Sequence, residues 1–223
     1  MLWRTPAHTT ELQAQWQALG AALQRDHPTW QREGQRLIRS WSRWPRAYHN
    51  TTHLQACLQH LHAVQGDLPG VLHNPAAMAL ALWFHDAVYW PWSAHNEERS
   101  ADWAARFLRA QTLPAALVDT VHQHILDTRH TTGPLTGDAQ WVVDIDLAIL
   151  GQGTAVYDQF ERNVRHEYFF VRRPRYAAGR SAVLQSFLDR PRIYGTDWFF
   201  ARYEAAARQN LTRALEALHG GSA

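Results

Sequence analysis

The chain has 223 residues, 46% of them hydrophobic, and a formal net charge of +2. That length supports a substantial core, the apolar content excludes a disordered chain, and the small charge excess gives no argument for nucleic-acid binding. Every one of the 22 basic residues is arginine, so a phosphate-loop or Schiff-base lysine is excluded and any anion clamp must be arginine, histidine or backbone.

The apolar spacing is helical nearly throughout, with no run of period-two strands and no internal repeat. Thr9-Thr10-Glu11 opens a first helix with Leu12, Trp16, Leu19 and Leu23 on one face. Pro28 starts a second, carrying Trp30, Gly34, Leu37, Ile38 and Trp41, and Trp44-Pro45 ends it. Asn50 is a suitable N-cap for a third helix, whose stripe is Leu54, Cys57, Leu58 and Leu61, with His53 at its border. Asn74-Pro75 signals a fourth helix, and Ala76 to Phe84 is apolar all round, as a central buried helix requires. It delivers His85-Asp86 at its end.

Trp90-Pro91-Trp92 follows and is expected to pack in the core, the other reading being a lid or stacking wall. Asn96 is expected to cap a fifth helix, with Glu97 and Glu98 in its first turn. Pro114 opens a sixth, with Leu117, Val121, His124, Ile125 and Thr128 inward and His130 just beyond; Gly133-Pro134 reads as a turn. A seventh helix runs from about Asp138 to Leu150 and stops at Gly151. On it Asp146 lies with Val142, Ile145 and Ile149 and is expected to face the core, while Asp144 is expected nearer the edge. An eighth carries Val156, Tyr157, Phe160, Val164, Glu167, Tyr168 and Val171, and a ninth Tyr176, Arg180, Val183, Leu184, Phe187 and Leu188. Arg172-Arg173-Pro174-Arg175 between them is a basic turn expected at the surface. Thr196-Asp197 caps a long last helix. The fold class is therefore all-α, expected as a single domain over 1–223, with a metal-site core at about 46–151 and helices at 154–219 closing a pocket.

Cys57 is the only cysteine. No intrachain disulfide can form, and a reducing cytoplasm is the expected location. No apolar run approaches the ~20 residues of a membrane span, and Met1 to Pro6 lacks a charged-then-apolar signal pattern, so no membrane partner is expected.

An ionisable group on an apolar helix face normally pairs, binds metal or neutralises. His53, His85, Asp86 and Asp146 each sit near a helix end or on an inner face. Mixed nitrogen and oxygen ligation suits one divalent ion: Mn, Fe, Co, Ni, Zn or Mg. Arg180 either pairs with Glu167 as a buried ion pair or points at an anion.

The ordered set His53, His85-Asp86 and Asp146 resembles the HD-domain superfamily of metal-dependent phosphohydrolases. The likeness extends over Tyr48-His49-Asn50-Thr51-Thr52-His53, Phe84-His85-Asp86-Ala87-Val88-Tyr89, Asn96-Glu97-Glu98-Arg99-Ser100-Ala101, Thr128-Arg129-His130, Asp144-Ile145-Asp146-Leu147-Ala148-Ile149-Leu150-Gly151, Val164-Arg165-His166-Glu167-Tyr168, Gly179-Arg180 and Ala207-Arg208-Gln209-Asn210-Leu211, so from about Trp30 onward. The resemblance implies metal ligands at His53, His85, Asp86 and Asp146. It also implies hydrolysis of a phosphomonoester or phosphoanhydride in a nucleotide or nucleotide-like molecule, by attack of metal-bound water. His124 and His130 fall where two-metal members carry extra histidines, leaving room for a second ion. Members that cleave guanosine tetraphosphate carry a Glu-Asp pair soon after His-Asp; here Ala87-Val88-Tyr89-Trp90 stands instead.

On this reading Asp86, Glu97 and His130 are the catalytic residues, Glu97 or His130 positioning the water. Arg180, Arg165 and Tyr168 are expected to bind the small phosphorylated substrate, and His49 to hold the chain entering the third helix. The alternatives are a non-catalytic nucleotide or second-messenger sensor, a structural metal site in an interaction protein, and a di-iron HD-type oxygenase. The oligomeric state is left open.

Overall fold

The computed structural model describes residues 8–130 and 135–220, and among these every regular element is helical. The expected turn at Gly133-Pro134 lies outside the described residues. Packing divides the chain into two compact units, one ending at Val143 and the other beginning at Asp144. No helix among the described residues is long and apolar enough to cross a membrane.

The first unit contains α1 (Thr9–Ala22), α2 (Pro28–Trp41), α3 (Thr51–Asp67), α4 (Pro75–Phe84), α5 (Asn96–Ala110) and α6 (Ala115–Asp127). At its centre is α4, whose residues Leu80, Ala81, Leu82, Trp83 and Phe84 are all buried. Helices α3, α5 and α6 each pack against it. Its apolar-all-round sequence follows from those neighbours, since each enclosed leucine or phenylalanine contributes roughly 1.5–3 kcal/mol. Both asparagine caps read from the sequence form. Asn50 accepts from the backbone of Thr52 and His53 at the start of α3, and Asn74 accepts from Ala77 at the start of α4.

Helices α1 and α2 are joined by a reciprocal tryptophan clasp. Trp16 Nε1 donates to the Trp30 carbonyl at 2.8 Å and Trp30 Nε1 to the Trp16 carbonyl at 3.0 Å. The indoles stack with centroids 4.6 Å apart. A Cβ at Gly34 would strike the Trp16 ring, and one at Gly20 the Trp30 ring. The glycines are therefore what lets each indole lie against the opposite helix.

Two expectations for this unit are corrected. Asn96 does not cap α5: the N-cap is His95, and Asn96 instead accepts from Trp90 N and donates to the carbonyls of Trp90 and Ser93. An asparagine at the first helical position still points back along the chain, so it braces the preceding loop. Trp92, expected in the core, is 63% exposed, and Trp90 beside it is partly exposed at 36%. The proline between them and the bracing by Asn96 hold the loop outward.

The second unit holds a 3-10 turn (Leu147–Gly151), α8 (Thr154–Glu167), α9 (Arg173–Leu188) and α10 (Asp197–Gly220). Helix α10 packs against α9 and against the 3-10 turn. Tyr194 donates to the Leu147 carbonyl at 3.0 Å, and Asn210 donates to the carbonyls of Leu150 and Gln152. The acceptors that a tight turn leaves unpaired are thus met by side chains. The basic segment from Arg172 to Arg175 is exposed, as its charge predicts. Val183, read as inward-facing, is 44% exposed because α9 turns Leu184 and Phe187 inward.

Helix α7 spans Gly137–Asp146. Its two late aspartates are reversed from expectation. Asp144, expected near the edge, is fully buried, while Asp146 is only partly so. Asp144 accepts from Gly195 N at 3.0 Å, Thr196 N at 2.7 Å and Thr196 Oγ1 at 2.7 Å, immediately ahead of α10. A buried carboxylate satisfied by such donors is an organising group for the start of α10. Helical periodicity alone did not show that a later segment would supply them.

Candidate metal centre

Three local features bring the site residues of the first unit together. Asn50 starts α3 so that His53 falls in its first turn. The apolar run of α4 ends at Phe84, and His85-Asp86 follow in the turn, closed by Ala87 N donating to the Phe84 carbonyl. That turn is tied down from three sides. The Ala87 carbonyl accepts from Ser40 Oγ and from Arg46 Nη2, and Val88 N donates to Ser100 Oγ. Arg46 also donates to the His49 carbonyl and lies over the rings of Trp41 and Tyr89. The His49 ring stacks on Tyr89 with centroids 4.1 Å apart.

The result is a buried pair of imidazoles. His53 Nε2 and His85 Nε2 lie 3.2 Å apart, and both residues are buried. Asp86 Oδ2 is 3.4 Å from His85 Nε2. Each imidazole is oriented through its other nitrogen. His85 Nδ1 lies 2.9 Å from the Leu82 carbonyl, an acceptor only, so Nδ1 carries the proton and Nε2 presents its lone pair. His53 Nδ1 is 3.0 Å from the Tyr48 hydroxyl. A ring nitrogen fixed by a carbonyl or hydroxyl while its partner nitrogen points into a cluster is the usual support of a metal-binding histidine. Trp41 closes the side, its ring 5.2 Å from that of His85 and its Nε1 donating to the Trp83 carbonyl.

Cys57, one turn along α3 from His53, adds a thiol with Sγ 3.8 Å from His53 Nε2. Ligand atoms of His53, Cys57 and His85 all fall within 4.8 Å of one another, a grouping that could hold a metal ion. The donor set fits a divalent ion by chemistry: buried imidazole nitrogens beside a carboxylate and sulfur. The spacing His53-x-x-x-Cys57 was present in the sequence, but Cys57 also continues an apolar stripe, and that assignment took precedence.

The other site candidates have these positions. Glu97, in the first turn of α5, has its carboxyl pushed above the usual range, chiefly by burial; the charges of Asp86 and Glu98 act in the same direction, against backbone hydrogen bonding and Arg129. Glu97 thus stands within electrostatic reach of Asp86. His130 lies just past α6 in a left-handed conformation, φ 57°, with its N–H donating to the Asp127 carbonyl. Asp146 ends α7.

In the second unit, Arg180 makes a two-pronged pair with Glu161, Nε to Oε2 at 3.1 Å and Nη2 to Oε1 at 2.6 Å. The ion pair exists, half-buried, but its acid is Glu161 and not Glu167. Arg165 donates to the Tyr168 and Val171 carbonyls at the end of α8 and lies over the Tyr176 ring. Tyr168 stacks with Phe170.

Fold and donor set together define an all-helical protein with a candidate divalent-metal centre. Comparison with protein-family models, with curated proteins and with solved structures found no match to this chain.

Proposed function

We propose that the protein is a metal-dependent phosphohydrolase of the HD type, acting on a phosphomonoester or phosphoanhydride in a nucleotide or nucleotide-like molecule. The observation that carries this reading is the buried, pre-oriented His53–His85 pair with Asp86 Oδ2 beside it. Those are residues that the ordered motif set singles out. Bound there, a divalent ion supplies Lewis-acid chemistry and makes water a competent nucleophile near neutral pH.

The chain's own residues do the rest. His53 and His85 hold their lone pairs in place through Tyr48 and the Leu82 carbonyl. Asp86 brings a carboxylate oxygen to 3.4 Å from His85 Nε2. Glu97, with its proton affinity raised, accepts a proton from the attacking water. Arg180 would have to give up its Glu161 pair to clamp a phosphate.

The test is phosphate release from a panel of nucleotides and phosphate esters, with the protein stripped and reloaded with Mn²⁺, Co²⁺, Ni²⁺ or Zn²⁺. Turnover should appear with at least one metal and fall by at least about 100-fold in Asp86→Asn and in Glu97→Gln. Tight nucleotide binding with no turnover would move the assignment to a sensor.

A further inference from the structure

We infer that Cys57 is a ligand of the metal centre, so that the site is thiolate-bearing and selects soft or borderline ions over Mg²⁺. This rests on the reading that the site holds a metal, and it departs from the all-histidine-and-aspartate set that the sequence motif implies.

The geometry carries it. Cys57 follows His53 by four residues on α3, so both side chains leave the same face of the helix. Cys57 is 1% exposed, and its sulfur sits in the imidazole cluster instead of being spent on packing alone. Zinc–nitrogen and zinc–sulfur bonds of about 2.05 and about 2.3 Å give tetrahedral ligand separations of about 3.3 Å for two nitrogens and about 3.6 Å for nitrogen and sulfur. The structure shows 3.2 Å between the two Nε2 atoms, and Cys57 Sγ stands beside the His53 ring, 3.8 Å from Nε2 and 3.7 Å from Nδ1. The nitrogen–nitrogen edge is close to ideal, and a side-chain rotation of Cys57 toward the two Nε2 atoms completes the set. Coordination replaces the S–H bond with a sulfur–metal bond, the proton leaving to solvent. A thiolate beside two imidazoles favours Zn²⁺, Co²⁺ or Ni²⁺, whereas Mg²⁺ demands oxygen ligands and near-octahedral geometry.

Because Cys57 is the only cysteine in the chain, spectroscopy assigns the sulfur without ambiguity. Cobalt(II) is titrated anaerobically into the metal-free full-length protein, and into Cys57→Ser and Cys57→Ala, with circular dichroism melts to establish that the variants fold. The expected result is a sulfur-to-cobalt charge-transfer band in the near ultraviolet for the parent protein, absent in both variants, with cobalt affinity lowered by about 10–100-fold. A parent protein that binds cobalt stoichiometrically without that band overturns the inference and leaves the proposed phosphohydrolase standing. If no cobalt or zinc binds at all, both the inference and the metal-centre reading fall.

Discussion

At the scale of single residues, burial decides what each polar group can do. His53 and His85 are buried and turned toward one another, a costly arrangement for two imidazoles unless a proton or a metal ion mediates between them. His124 is buried too, yet neither ring nitrogen has a hydrogen-bond partner among the described residues. Burial lowers its pKa below the usual histidine value of 6.5, with the charges of Asp127 and Asp138 opposing. The unfolded chain therefore takes up this proton before the folded one as pH falls. Stability is full above about 6.5 and declines as pH drops through that value toward the lowered folded pKa. Urea midpoints measured at about pH 7.5 and about pH 5.5 should separate more for the parent than for His124→Leu; equal separations would refute this. Residue type and spacing were enough to nominate His53, His85 and Asp86. They were not enough to find Tyr48, Ser40, Arg46 or Ser100, whose roles depend on which backbone atoms a distant segment presents.

At the scale of elements, local rules placed most helices correctly. Asn50 and Asn74 cap where their side chains can reach the first free N–H groups, a relation contained within three residues. Asn96 differs because its loop offers competing partners in Trp90 and Ser93. Gly34 was legible only as a residue on the inner line of α2; the clasp explains why it has no side chain. Gly34→Ala should raise helix propensity and still destabilise the protein by about 1–3 kcal/mol, because the added carbon overlaps the Trp16 indole. A urea titration checks the sign: stabilisation would mean that the α1–α2 contact is loose.

At the scale of the whole molecule, the all-helical class, the central α4 and the candidate centre agree with one another. A metal that binds the folded chain and not the unfolded one should stabilise it by about 2.7 kcal/mol at a hundredfold excess over Kd. Thermal melts with Zn²⁺ should therefore lie above those in EDTA, and the difference should vanish in His85→Ala; identical melts would remove the case for a bound ion. By itself the sequence determined the helices and the buried α4, and nominated His53 and His85, because periodicity, caps and apolar runs act over a few residues. Only the tertiary structure decided that Asp144 organises the start of α10, that Arg180 is taken by Glu161, and that Cys57 joins the histidines. Hydrogen bonds, ion pairs and ligand sets are settled by which atoms meet in space, and no spacing along the chain specifies that.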